Sequence, residues 1–256
     1  MTQPPPVRQR ILITGASAGL GAEMAKQWAA AGRDLVLCAR RLPELERLRA
    51  EILTDHPDVT VLIRALDVTD AEAVDRVFRE TAAELGGLDR VVANAGIARG
   101  GSIGTGATAD NEATVQTNFL GVLHQAESAL ALFRAAGAGH LVVVASMAGL
   151  RGLANEITVY AATKAGVATL AEGLQAELWH SPITVTTIYP GYIRTEINAN
   201  DPNMKWSVDK VTGSAAMVAA IEREPARAYV PTRPWAFMAW PMRLMPMVMF
   251  RKLAGY

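Results

Sequence analysis

Apolar positions along the chain fall into two alternating patterns. Short runs in which nearly every residue is apolar or β-branched occur at Arg10–Thr14, Asp34–Cys38, Thr60–Ala65, Arg90–Ala93, Leu141–Ala145 and Ile183–Tyr189. Runs of this length without polar alternation predict strands buried on both faces, the habit of parallel sheets. Between them, apolar residues recur at helical spacing from the glycines after Thr14 to about Ala31, over Pro43–Thr54, from Thr69 to about Leu85, and from about Asn111 to Phe133. Strands alternating with helices predict an α/β fold: one doubly wound domain over residues 1–256, a parallel sheet of about seven strands with helices on both faces. Thr69 and Glu72 have capping-box spacing and predict the start of the third helix. The glycine-rich stretch Gly100–Gly106 reads as a local connection, not a domain boundary.

Composition narrows this picture. Half of the 256 residues are hydrophobic and 20% are charged, a globular balance. Lysine plus arginine equals aspartate plus glutamate at 25 each, so no single-sign surface is offered to nucleic acid or to an acidic partner. Cys38, the single cysteine, lies in an apolar run and reads as a buried structural thiol in a reducing compartment. The histidines lack ligand spacing, and no metal site is expected. The proline-rich start reads as a flexible tail over residues 1–9 and not as a signal peptide, so a cytoplasmic location is expected.

Candidate chemistry sits at the ends of the strands. After the first strand comes Gly15-Ala-Ser-Ala-Gly19-Leu-Gly21, leading into a helix. Glycines there let the backbone turn tightly and approach a pyrophosphate, which the helix N-terminus attracts; Ser17 adds a hydroxyl. The second strand ends in Ala39-Arg40-Arg41. An acid at this place would bind the ribose 2′-hydroxyl of NAD, whereas Arg40 suits the 2′-phosphate of NADP; the alternative is a pair of solvated arginines. Asp67 is either a loop acid or an adenine ligand. Asn94-Ala95-Gly96 allows close approach at the sheet edge. Asn118 falls in mid-helix, where a residue of modest propensity needs a reason, solvent exposure being the plain one.

Ser146 follows the fifth strand, fourteen positions before Tyr160, and Tyr160 precedes Lys164 by four. Residues four apart on a helix share a face, so a phenol and an ammonium can share a site, and the cation is expected to pull the tyrosine pKa down toward working pH. An ordinary amphipathic helix surface would look the same.

Taken together, Thr14-Gly15-x-x-x-Gly19-x-Gly21, Asp67-Val68, Asn94-Ala95-Gly96, Asn118, Ser146, Tyr160-x-x-x-Lys164 and Pro190-Gly191-x-x-x-Thr195 resemble the short-chain dehydrogenase/reductase family, over about Arg10–Thr195. The resemblance implies a Rossmann fold and NADP(H)-linked redox chemistry on a small-molecule carbonyl or alcohol. It implies Tyr160 as acid/base, Ser146 polarising the carbonyl, Lys164 lowering the tyrosine pKa and holding the nicotinamide ribose, and Asn118 holding a relay water behind Lys164. It assigns the cofactor to the turn Gly15, Ser17, Gly19, Leu20 and Gly21, to Arg40 and Arg41, to Asp67 and Val68, to Asn94, Ala95 and Gly96, to Tyr160 and Lys164, and to Ile193 and Thr195. A homodimer or homotetramer is the expected assembly, and a noncatalytic NADP sensor is the alternative to an enzyme. Ala18 is not the basic residue found in some NADP-preferring members, which leaves the preference to Arg40 and Arg41. The Ser146–Tyr160 spacing is one residue longer than the commonest family spacing, predicting a bulge near Leu153–Glu156.

Substrate choice is expected from the loop over 192–215, including Tyr192, Met204 and Trp206, and from 150–159. The segment 235–256 gathers five of ten methionines and two of five tryptophans. With Pro241, Arg243 and Pro246 breaking it, it falls short of a spanning helix and reads as an oligomer interface, a lid over the cleft, or a peripheral membrane contact.

Overall fold

The computed structural model describes residues 5–195 and 206–254. In chain order it contains β1 (Arg10–Thr14), α1 (Gly19–Ala30), β2 (Asp34–Ala39), α2 (Leu42–Asp55), β3 (Val61–Ala65), α3 (Ala71–Leu85), β4 (Arg90–Ala93), α4 (Thr108–Val115), α5 (Gly121–Ala136), β5 (Gly139–Val144), α6 (Thr158–Glu177), β6 (Ile183–Pro190), α7 (Lys210–Glu222), β7 (Arg227–Val230), α8 (Thr232–Leu244) and α9 (Met247–Ala254). The seven strands form one sheet in the order β3-β2-β1-β4-β5-β6-β7, with every neighbouring pair parallel. This is the doubly wound Rossmann-type sheet that the alternation predicts.

Alternate residues of each strand feed opposite layers. Ile11 and Ile13 pack with Met24 and Trp28 of α1 and Ile221 of α7, whereas Leu12 and Val36 pack with Phe78 of α3, Phe133 of α5 and Val167 of α6. Both faces are therefore dry, which is why the strands read as continuous apolar runs. Cys38 is buried in this core, and desolvation pushes its thiol up to about 12, an inert packing residue.

Several local expectations are corrected. Asp70, not Thr69, caps α3 by accepting from the Ala73 N–H at 2.9 Å; Thr69 instead donates to Asp67. The helix expected over 111–133 is two α-helices joined by a π-helical turn, Gln116–Leu120, with a fully buried Asn118. Nor is the whole of 1–9 a flexible tail. Arg8 is buried and forks onto Glu224 at 2.7 and 3.0 Å, and the Gln9 N–H donates to Asp89. Residues 1–4 lie outside the described residues.

Arg8 joins a polar network at the N-terminal ends of β4, β5 and β6, the end of the sheet remote from the strand ends carrying the motifs. Arg90 donates through Nε to His140 Nδ1 at 2.9 Å and pairs with Glu222. His140 Nε2 meets Thr186 Oγ1 at 2.9 Å, and Thr184 donates to Glu224. Burial and the neighbouring Arg90 charge push His140 down to about 3, so the ring stays neutral.

Candidate active site

The C-terminal ends of the strands open onto one cleft of about 470 Å³, within the range of about 300–1,000 Å³ usual for small-molecule sites. It straddles β1 and β4, where the strand order reverses, the place where ligands bind in open α/β sheets.

The floor of one end is the turn between β1 and α1. Gly15 has φ +64° and Gly19 φ +59°, conformations that favour glycine. A Cβ on Gly21 would lie 2.5 Å from the Gly15 carbonyl oxygen, so only glycine lets the helix seat against the turn. The N-cap of α1 is Ala18, which supplies no side-chain acceptor. The first N–H groups and the positive end of the helix dipole are thus presented to the cleft beside Gly19 and Leu20, a cradle for an anion.

Arg40 and Arg41 stand on the rim just past β2. Arg41 donates to Ser17 Oγ at 3.1 Å, tying the arginine pair to the glycine turn, while Arg40 lies 3.9 Å from Asp67 in an exposed pair. Asp67 also accepts from the Thr69 N–H and hydroxyl, which folds the loop after β3 and places Asp67 and Val68 on the cleft wall.

Asn94 is a fastener. Its Nδ2 donates to the Thr14 carbonyl at 2.9 Å, and the Thr14 hydroxyl receives the Asn94 and Ala95 N–H groups while donating to Gln125 Oε1 at 2.7 Å. The ends of β1 and β4 are thereby locked to α5.

Ser146 lies two residues past β5 and caps a 3-10 turn, Met147–Leu150. A Cβ on Gly149 would come within 2.6 Å of the Lys164 carbonyl carbon, so this turn lies directly on the α6 backbone and carries Ser146 to Tyr160. The long connection is taken up by a second 3-10 turn, Asn155–Ile157, with Asn155 at φ +64°. Burial raises the Tyr160 pKa, and a hydrogen bond with Ser146 opposes the rise. Lys164 is buried, donates to the Val144 carbonyl at 2.8 Å, and is brought down to about 8 by desolvation. The expectation that Lys164 pulls the phenol pKa down is therefore corrected for the chain by itself. The ammonium is turned to Val144, and burial of the phenol outweighs the opposing effect of Ser146.

Asn118 pairs with the Ile97 backbone in both directions, accepting from its N–H and donating to its carbonyl, each at 2.8 Å. A Cβ on Gly96 would sit 3.2 Å from Asn118 Oδ1 and 3.5 Å from Lys164 Nζ, so both polar groups border that bare Cα. The π-helical turn supplies the extra residue that points Asn118 inward, a common device at functional sites.

Of the residues named from the sequence, Gly15, Ser17, Gly19, Leu20, Arg40, Arg41, Asp67, Val68, Asn94, Ala95, Gly96, Ser146, Tyr160, Lys164, Ile193 and Thr195 line the cleft. Gly21 lies behind the turn, and Asn118 behind the Gly96 strand end. Ile193 bridges Val208, closing the base of the loop whose residues 196–205, Met204 among them, lie outside the described residues. Ile97, Ala98 and Thr117 also line the cleft, and the sequence did not single them out. Gln125 was missed as well. Its signal was a polar residue on a helix face otherwise formed by Val122, Ala126 and Ala129.

Residues 9–206 match the sequence model of the family described as short chain dehydrogenase. An uncharacterised oxidoreductase of Mycobacterium tuberculosis is 48% identical over 247 residues, covering 96% of this chain and 98% of the relative. A short-chain dehydrogenase from Sphingobium yanoikuyae in complex with NADPH superposes with a TM-score of 0.79 at 28% identity, over 96% of this chain and 92% of its own. Levodione reductase does so with a TM-score of 0.78 at 28% identity, over 87% and 95% respectively.

Proposed function

Since the chain belongs to the short-chain dehydrogenase family and is thereby an oxidoreductase with a nicotinamide site, we propose that it uses NADP(H) to interconvert a carbonyl and a secondary alcohol on an apolar substrate, with Tyr160 as general acid/base. The observation that carries this reading is the Tyr160 phenol on the cleft wall, sharing that wall with Ser146 and one helical turn from Lys164.

The cleft fits the cofactor on its own features. The Gly15–Gly21 cradle, closed to any Cβ at Gly21, and the uncapped α1 N-terminus suit a pyrophosphate. Arg40 and Arg41, at a strand end without an acid, suit a 2′-phosphate, which guanidinium groups bind in bidentate fashion. Asp67 and Val68 suit the adenine, Lys164 the nicotinamide ribose, and Ile193 with Thr195 the carboxamide. Bound there, the reduced cofactor supplies a hydride.

The chain's own groups handle the proton and the charge. A phenol held above its ordinary pKa stays protonated at neutral pH, so Tyr160 can donate to the substrate oxygen as negative charge develops on it. Ser146 hydrogen-bonds the same oxygen and orients the carbonyl. Preorganised donors of this kind stabilise developing charge where water is excluded. Lys164 contributes positive charge below its pKa of about 8. Asn118 and Lys164, both against Gly96, border the space for a relay water. In the oxidative direction the same groups take the proton back.

Ile97, Ala98 and Val144 give the cleft apolar walls, which favours an apolar substrate. A groove between α5 and α6, lined by Leu123, Leu130, Leu170 and Leu174, supports a homodimer or homotetramer. A screen of NADPH oxidation over aldehydes, cyclic ketones, steroids and acyl thioesters tests the activity. Turnover with at least one class is expected, and tight NADPH binding with no turnover on any of them would count against it.

A further inference from the structure

The segment after β7 is apolar on more than one face. On α8, Trp235 and Ala239 point inward, and a Cβ on Gly191 would come within 2.2 Å of the Trp235 ring. On the other side Phe237, Trp240 and Leu244, spaced three and four apart, are each about 70% exposed (68%, 71% and 70%). α9 continues this surface with exposed Met247, Val248 and Met249. A helix apolar all round has to be covered by something other than water.

Charge decides the occupant. From residue 225 to the end, the sequence holds five cationic side chains and no aspartate or glutamate, in a chain whose net charge is zero. Arg243, Arg251 and Lys252 are exposed beside the apolar face, and none takes part in an ion pair among the described residues. A second copy on a two-fold axis would set this basic patch against itself. Anionic lipid attracts it, and tryptophan suits the boundary between headgroups and acyl chains. No described helix is long and apolar enough to cross a membrane, so the segment would lie in the interface plane.

The segment is also fastened to the cleft. Arg151, in the loop between Ser146 and Tyr160, donates to the Met242 carbonyl at 3.0 Å and to that of Met245, and its guanidinium lies 4.9 Å over the Phe250 ring. Tyr192 and Trp206, both within the stretch 192–215 from which substrate choice is expected, meet Trp235 edge-on at 5.3 and 6.5 Å. We propose that α8 and α9 form a peripheral docking surface for anionic lipid, seated through Phe237, Trp240, Leu244 and Val248 and held by Arg243, Arg251 and Lys252.

Flotation of the full chain with vesicles of phosphatidylcholine, alone or mixed with phosphatidylglycerol, tests this without reference to turnover. Binding is expected to the mixed vesicles, to fall steeply with added salt, and to weaken about 100-fold in the triple variant R243Q/R251Q/K252Q, roughly fivefold per residue. The Phe237→Ser/Trp240→Ser variant should also lose it. No binding to mixed vesicles at low salt, or binding insensitive to salt, would overturn the proposal; the salt series uses the unmodified protein and holds even if a variant folds poorly. Loss of self-association in Phe237→Ser/Trp240→Ser, with no lipid binding by either protein, would give this face to a second copy instead.

Discussion

Lys164 Nζ stands 5.9 Å from the centre of the Tyr160 ring and donates to the Val144 carbonyl at 2.8 Å. The two side chains share a helical face, as their spacing requires, yet the ammonium is anchored to the end of β5. Tyr160 meets Ser146 instead, and the phenol is held in its protonated form. This division of partners sets the first two predictions.

Tyr160→Phe removes the proton donor while keeping the ring against the cleft wall. Reduction should fall by about 10²–10⁴-fold, the usual contribution of general acid catalysis. NADPH affinity, measured by fluorescence titration, should stay within a few-fold. Retained turnover would sink the assignment of Tyr160.

The pH dependence follows from Lys164. Its pKa lies below the ordinary lysine value because burial disfavours the charged form, so it is cationic below about 8 and loses that charge above it. Tyr160, shifted upward, keeps its proton through the same range. The pH profile of kcat/KM for NADPH-dependent reduction should be level below about 8 and decline above it. A profile level up to the ordinary tyrosine value of 10.0 would separate the rate from Lys164.

Arg40→Asp replaces a cation on the cleft rim with an acid beside Asp67, 3.9 Å from the guanidinium it removes. NADPH should bind roughly 10–100-fold more weakly, the worth of one charged hydrogen-bonding partner, while NADH is little affected or gains. Equal losses for both cofactors would show that the arginine does not read the 2′-phosphate.

Acid stability is predicted from the opposite end of the sheet. His140 is held at about 3 in the folded chain against an ordinary 6.5, so the unfolded chain binds more protons between these values and stability falls as pH falls through that window. One such group costs roughly 2 kcal/mol between pH 7 and pH 5. Denaturant melts at the two pH values should show that slope. The His140→Asn variant, less stable overall because Arg90 Nε and Thr186 lose their partner, should show much less of it.

The sequence by itself determined the layered fold and most of the cleft. Parallel strands buried on both faces cannot alternate polar and apolar residues, so RILIT, DLVLC and LVVV announced themselves, and the glycine turn had to follow the first of them. Because every parallel strand ends at the same edge, residues just past those ends were bound to converge, whatever the loop details. Tertiary structure alone decided which partners the polar groups took. Nothing local to Asn118 distinguishes an exposed helix residue from one sealed against Ile97, and Arg8 looks like tail until Glu224 is brought to it from 216 positions away. The Tyr160 and Lys164 shifts belong to the same class. Periodicity is a property of neighbours in sequence, whereas hydrogen bonds, desolvation and charge depend on neighbours in space, which exist only once the sheet has assembled.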